Sequence, residues 1–224
     1  MSPFYSFLLL LTLLFLLSKQ VSQSIGSLIY KITRSKRITV SALAFIFLPG
    51  TVIHEFAHAA IAQGLGIYVG EIEFTPKFET EGIKLGSVQI AESDPFRRFL
   101  IGIAPLIIGF VLIFLTLAIY DRFQISGIWT QVLLFYLLFE IGNTMFSSKR
   151  DMEGALELLL ALILFLAFAY FAGFKQIFFQ VSPIIKRLEP FFKMANSPIL
   201  KIIIIDLISV LTARILTPTW RIDK

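Results

Sequence analysis

The pattern H-E-x-x-H, formed by His54, Glu55 and His58, lies inside a stretch of mostly small and apolar residues. On a helix, positions i and i+4 share one face, so both imidazoles can bind one metal ion from the same side. Idle histidines that merely cap a helix or fill a core are disfavoured, because unpaired ionisable groups are costly at membrane depth. The motif therefore predicts a Zn²⁺ site inside a membrane protein, with Glu55 as the general base.

The composition also indicates a membrane protein. Hydrophobic residues make up 57% of the 224 residues and charged residues only 16%, which is more apolar than an ordinary soluble domain. The formal charge of +5 comes from scattered Lys and Arg, as around membrane spans, and not from a nucleic-acid-binding stripe. Because the chain has no cysteine, thiolate ligands are excluded. We expect an integral, multi-pass protein in the lipid bilayer, with no nucleic-acid partner.

The expected fold class is an all-α polytopic membrane protein, a bundle of about four to six transmembrane helices with a small β-hairpin insertion. The motif helix is predicted over 38–65, with a kink at Pro49-Gly50, because proline removes a helical hydrogen bond. Three clear apolar spans follow it, at residues 99–120, 128–145 and 155–174. Together these segments form an embedded core over 38–174.

The two ends of the chain flank this core. Residues 1–37 are predicted to form an N-terminal transmembrane helix and a basic connector. The apolar run 4–17 could instead be a signal peptide, but no basic residue precedes it and no clear cleavage site follows. Residues 175–224 are predicted to form interfacial or transmembrane helices, interrupted at Pro183 and Pro190.

Residues 68–94 differ from the rest because glutamates alternate with apolar residues there. Two short strands are predicted at 68–75 and 83–91, with Pro76 and Gly82 in the turn between them. The segment is either a plain connector or an edge that pairs with an extended substrate by strand addition.

Two histidines do not complete a zinc site, so a third ligand must come from elsewhere in the chain. The acidic candidates are Asp94, Glu140, Asp151 and Glu153. Asp94 and Glu153 resemble ordinary loop or cap residues. Asp151 follows a span whose end carries Glu140 and Asn143 on one helix face, so it can reach back toward the bundle.

With these residues in place, the chain resembles the site-2 protease family of intramembrane zinc metalloproteases over roughly residues 38–160. The family joins H-E-x-x-H on one helix to N-x-x-P-x-x-x-L-D-G on another, and Asn143 and Asp151 stand eight residues apart in the same way. The order of motif helix, hairpin-like loop, core helix and ligand-bearing helix is also similar. The chain departs from the family pattern at three positions, namely Phe146, Arg150 and Met152.

The resemblance implies hydrolysis of peptide bonds in a transmembrane protein or peptide substrate. His54, His58 and Asp151 would bind Zn²⁺ and Glu55 would act as base and acid. Asn143 would hold the substrate backbone or the developing oxyanion; the plainer alternative is a hydrogen bond between helices.

Two other interpretations stay open at this stage. In another class of membrane zinc peptidase a downstream glutamate is the third ligand, and Glu140 would then replace Asp151. A non-catalytic membrane scaffold or chaperone with a relict zinc site is the other alternative. The intact Glu55 argues against it, because a structural zinc site has no need of a base.

Overall fold

The computed structural model describes residues 2–74, 76–79, 82–123, 127–146, 151, 153–174 and 181–216. Within these ranges the chain forms seven helices: α1 (Pro3–Thr33), α2 (Lys36–Ile46), α3 (Leu48–Gly64), α4 (Pro95–Phe123), α5 (Ile128–Thr144), α6 (Glu153–Phe171) and α7 (Val181–Leu216). It also forms four short strands: β1 (Val69–Glu73), β2 (Lys77–Glu79), β3 (Gly82–Lys84) and β4 (Ser87–Ile90). The expected mostly helical architecture with a small hairpin is confirmed.

Helix α1 is longer than its apolar run predicts. It begins at Pro3, where a missing N–H costs nothing, and continues for 31 residues to Thr33. Arg34 then adopts the left-handed conformation, with φ 53°, that ends many helices. Ser35 begins the next helix, because its side chain accepts from Ile38 N at 3.3 Å. Most of the predicted connector is therefore helix, and the break falls at residues 34–35.

The predicted kink before the motif is confirmed. Helices α2 and α3 meet at Phe47 and are bent by 65° relative to each other. Pro49 explains the bend, because it has no N–H for the carbonyl of Phe45 and its ring crowds that carbonyl. Tyr136 of α5 donates to the carbonyl of Ile46 at 2.8 Å, which satisfies a polar group at the break.

The segment between α3 and α4 forms the predicted hairpin. Strand β1 pairs antiparallel with β4, with Ile72 opposite Val88, and β2 pairs antiparallel with β3 farther out. Ile90 and Val69 pack against a small buried cluster of Ala62, Ile67 and Ile101. The hairpin is thereby anchored to α3 and α4, which gives it the packing that an isolated hairpin lacks.

The main core lies between α1, α4, α5 and α7. Its fully buried members include Leu14, Ile113, Leu138 and Ile199. The outer surface is also apolar: Trp129 is 83% exposed and many other large hydrophobic side chains are exposed. Apolar side chains on both the inside and the outside are expected when the outside faces lipid.

Two of the described helices, α1 and α4, are long and apolar enough to cross a membrane, and the bent pair α2–α3 would make a third span. Helix α5 has 17 residues and is about 25 Å long, somewhat less than a hydrocarbon core of roughly 30 Å. Within α6, the part with described side chains includes the short apolar segment Leu160–Phe171. The described residues thus support two or three spans, and the four to six that the sequence predicts are not confirmed.

The C-terminal segment differs most from expectation. A single helix, α7, runs from Val181 to Leu216 through all its prolines, where breaks at Pro183 and Pro190 were predicted. Pro183 lies in the first turn, where it is tolerated. Beyond Pro190, α7 lies parallel to α1, with Asn196 bonded to the carbonyl of Pro3 at 3.2 Å. The two helices pack extensively, which offsets the cost of the interior prolines.

Candidate metal centre

The two motif histidines lie side by side on α3, as the spacing predicts. Their ring centroids are 4.7 Å apart. His54 Nδ1 lies 2.6 Å from the carbonyl oxygen of Thr144 on α5, and His58 Nδ1 lies 2.8 Å from that of Ile101 on α4. Each histidine is therefore oriented by a backbone group on a different neighbouring helix.

These contacts fix the tautomers. A carbonyl oxygen can only accept, so Nδ1 of each ring carries the hydrogen and donates it. Nε2 of His54 and Nε2 of His58 then both present lone pairs, and they lie 3.1 Å apart. When both rings are neutral, these facing lone pairs repel each other unless a metal ion or a shared proton lies between them. Metal-binding histidines commonly have this arrangement, with the other ring nitrogen bonded to a carbonyl.

Asp151 supplies the third atom. Its Oδ2 lies 3.7 Å from Nε2 of His54 and 3.6 Å from Nε2 of His58. In a tetrahedral site with ligand distances of about 2.0–2.2 Å, ligand atoms are roughly 3.3–3.6 Å apart. The three atoms lie within 4.8 Å of one another and can hold a metal ion. The predicted grouping of His54, His58 and Asp151 is thus confirmed as a possible metal-binding group.

Close packing against α4 places Asp151. A Cβ atom added at Gly102 would lie only 2.1 Å from the carbonyl oxygen of Asp151, much less than any non-bonded contact allows. The turn that carries Asp151 therefore rests on the part of α4 that has no side chain. Gly102 follows Ile101, whose carbonyl orients His58, so one short segment of α4 contacts two of the three candidate ligands.

Glu55 lies next to this group but is not one of its three members. It is buried on α3 beside the loop that precedes β4. A Cβ atom added at Gly86 would lie 2.6 Å from Cγ2 of Thr51, 3.2 Å from Cγ of Glu55 and 3.3 Å from its Oε1. The absence of a side chain at Gly86 lets the hairpin approach the motif helix closely at the position of the predicted base.

Glu140, the alternative third ligand, is placed elsewhere. It is fully buried, and its Oε2 accepts from the backbone N–H of Gly50 at 3.2 Å. Gly50 lies in the first turn of α3, where N–H groups have no partner within the helix and favour a carboxylate. Among the described residues, Glu140 is not part of the metal-binding group. Its position instead explains how a buried carboxylate is partly satisfied.

Asn143 is bonded across a helix interface. Its Nδ2 donates to the carbonyl of Phe139, one turn earlier, and to Oδ1 of Asp206 on α7, both at 2.9 Å. The plainer alternative, a hydrogen bond between helices, is therefore observed, and a role toward substrate stays a prediction. Sequence reasoning missed Asp206 as a partner. An acidic residue within the apolar run 202–210 was the available signal.

The two remaining acidic candidates have other positions. Asp94 caps α4, because its Oδ1 accepts from the backbone N–H groups of Phe96 and Arg97 at 3.1 Å. This agrees with its interpretation as a cap residue. Glu153 begins α6, and its side chain lies outside the described part of the structure.

Comparisons of the chain with protein-family models, with curated proteins and with solved structures found no match. Inferences about the site therefore rest on its own residues.

Proposed function

We propose that this protein is an intramembrane zinc metalloprotease that hydrolyses peptide bonds of membrane-embedded proteins or peptides. The observation that carries the proposal is the pair of Nε2 atoms 3.1 Å apart with the Asp151 carboxylate beside them. Glu55, on the same helix as the two histidines, supplies a candidate base. The apolar exterior of the protein supports a position in the membrane. The resemblance of the motifs to the site-2 protease family is consistent with this function.

The donor set favours zinc. Two neutral imidazoles and one carboxylate are a common ligand set of catalytic Zn²⁺, which keeps a fourth position for water or substrate. Mg²⁺ and Ca²⁺ prefer six or more oxygen ligands, which this group does not offer. Zinc bound here would polarise the scissile carbonyl and make a water molecule more acidic.

The chain's own groups would handle the proton. Glu55 lies one residue from His54 and is held against the hairpin loop by the close approach of Gly86. From this position its carboxylate would take a proton from water and deliver it to the leaving amine. Burial of Glu55 beside the histidines limits the number of water molecules that compete for that proton.

The hairpin supports a mode of substrate binding. A peptide bond within a helix is shielded by its neighbours, so a transmembrane substrate must be extended before cleavage. Strand β4 begins at Ser87, directly after Gly86. A substrate strand added along β4, on the edge not used by β1, would start beside Glu55. The hairpin would thus hold the substrate extended next to the candidate metal centre.

The proposal is tested with purified protein reconstituted in lipid vesicles. Zinc content is measured for the wild type, His54→Ala and Glu55→Gln, and cleavage is followed by mass spectrometry on a mixture of single-span membrane peptides. We expect about one zinc per chain in the wild type and Glu55→Gln, none in His54→Ala, and fragments from the wild type alone. The absence of zinc from the wild type, or equal fragments from the wild type and Glu55→Gln, would contradict the proposal.

A further inference from the structure

The carbonyl of Ile101, which orients His58, occupies an unusual position in its helix. In an α-helix each carbonyl accepts from the N–H four residues later. The residue four positions after Ile101 is Pro105, which lies inside α4 and has no N–H. The helix therefore cannot use this carbonyl in the ordinary way, and it accepts from Nδ1 of His58 at 2.8 Å instead.

The partner of the other histidine has a related origin. His54 donates to the carbonyl of Thr144, the last residue of α5. The last four carbonyls of a helix have no partner within that helix. Each histidine thus donates to a carbonyl that has no hydrogen-bond partner within the helix to which that carbonyl belongs. One is released by the end of a helix and the other by a proline in the middle of one.

The packing of α4 against α3 places the carbonyl released by Pro105 next to His58. Pro105 is fully buried, and α4 packs against α3, which carries His58. A proline ring also crowds the carbonyl four residues before it, which tilts that carbonyl away from the helix axis. At Ile101 this crowding favours a partner outside the helix, and His58 is the partner present.

We propose that Pro105 is a positioning residue for the metal site: it keeps the Ile101 carbonyl available, so that His58 donates from Nδ1 and presents Nε2 to the metal. This inference rests on the proposed metal site and adds a residue that touches neither metal nor substrate. Replacing Pro105 supplies an N–H that competes with His58 for the carbonyl. The His58 ring then has a weaker restraint on both its tautomer and its orientation.

The experiment uses two replacements of different size, Pro105→Ala and Pro105→Val, because both restore the N–H while they change the buried volume in opposite directions. Zn²⁺ affinity is measured by competition with a chromophoric chelator, and thermal unfolding is measured on metal-free protein. We expect both variants to bind Zn²⁺ about 10–100-fold more weakly, as when a hydrogen-bond partner of a ligand is lost. Metal-free stability should not fall by a comparable amount, since the helix gains a hydrogen bond.

Two controls complete the test. Pro190→Ala restores an N–H in α7 at an exposed position and should leave Zn²⁺ affinity unchanged. His58→Ala should abolish binding. If both Pro105 variants keep the wild-type affinity while His58→Ala binds no Zn²⁺, the proposed role of Pro105 is overturned and the metal site is not. Loss of affinity and of metal-free stability together would mean that the proline is merely structural, which also overturns it. A wild type that binds no Zn²⁺ contradicts the proposed metal site itself.

Discussion

Glu140 Oε2 accepts a hydrogen bond from the backbone N–H of Gly50 at 3.2 Å, linking α5 to the first turn of the motif helix across 90 residues of sequence. The carboxylate thus has a structural partner in α3, and Glu140 is not one of the three residues of the group formed by His54, His58 and Asp151. This relationship separates the two possible third ligands by experiment.

We expect Asp151→Ala to lose most of its Zn²⁺ affinity and Glu140→Gln to keep it within about tenfold. The amide introduced by Glu140→Gln retains an oxygen that can accept from Gly50, so its effect on stability should be small. Glu140→Ala leaves that buried N–H unpaired and should cost about 1–3 kcal/mol of unfolding free energy. Zinc titration and thermal unfolding check the three variants. Loss of zinc in Glu140→Gln but not in Asp151→Ala would reverse the assignment.

Gly102→Ala should weaken metal binding without changing any ligand. The new Cβ would lie 2.1 Å from the Asp151 carbonyl oxygen, so α4 or the turn must move and carry Asp151 with it. We expect Zn²⁺ affinity to fall at least about 10–100-fold. Gly64→Ala is the matched control, because no atom lies within 4 Å of a Cβ added there. Equal affinities in the two variants would show that the turn adapts freely.

Gly86→Ala should affect cleavage more than metal binding. The added Cβ would lie 2.6 Å from Cγ2 of Thr51 and 3.2 Å from Cγ of Glu55. Displacement of a reacting group by about 1 Å can cost roughly 10²-fold in rate. Thr51→Ser removes the threonine methyl, so Gly86→Ala/Thr51→Ser tests which contact matters. Recovery of cleavage in the double variant would assign the effect to Thr51 and not to Glu55.

The Asn143–Asp206 hydrogen bond should contribute to stability across the α5–α7 interface. Asp206→Ala leaves a buried amide N–H unpaired and should lower the unfolding free energy by about 1–3 kcal/mol, whereas Asp206→Asn keeps an acceptor and should lower it less. A double-mutant cycle with Asn143→Ala measures the coupling between the two residues. Additive effects would mean that the observed bond contributes no net stability.

The sequence predicts features that depend on local chemistry. The spacing of His54 and His58 follows from helical periodicity, the bend before the motif follows from Pro49, and the hairpin follows from alternating residues. Asp151 was identified as a candidate ligand because its spacing from Asn143 resembles a known pattern. The first three features are determined by a few neighbouring residues, whereas the position of Asp151 also depends on its packing against Gly102 of α4.

Other features depend on contacts that no local pattern reveals. Glu140 bonds to Gly50 and Asn143 to Asp206 across 90 and 63 residues, respectively. The predicted break at Pro190 is wrong: α7 continues through it, because packing against α1 offsets a local cost of about 3 kcal/mol. The predicted four to six membrane spans are not confirmed, because the described helices alone support two or three.

The parallel pairing of α1 with α7 has a consequence for the order in which the molecule is built. A ribosome releases α1 first among the described helices and α7 last, so α1 leaves the ribosome long before its main partner exists. All three candidate ligands are also synthesised before α7, while the surface that Ile199 and Ile202 later cover is still open. Final packing around α5, and with it the Asn143–Asp206 bond, must therefore await synthesis of the last described helix.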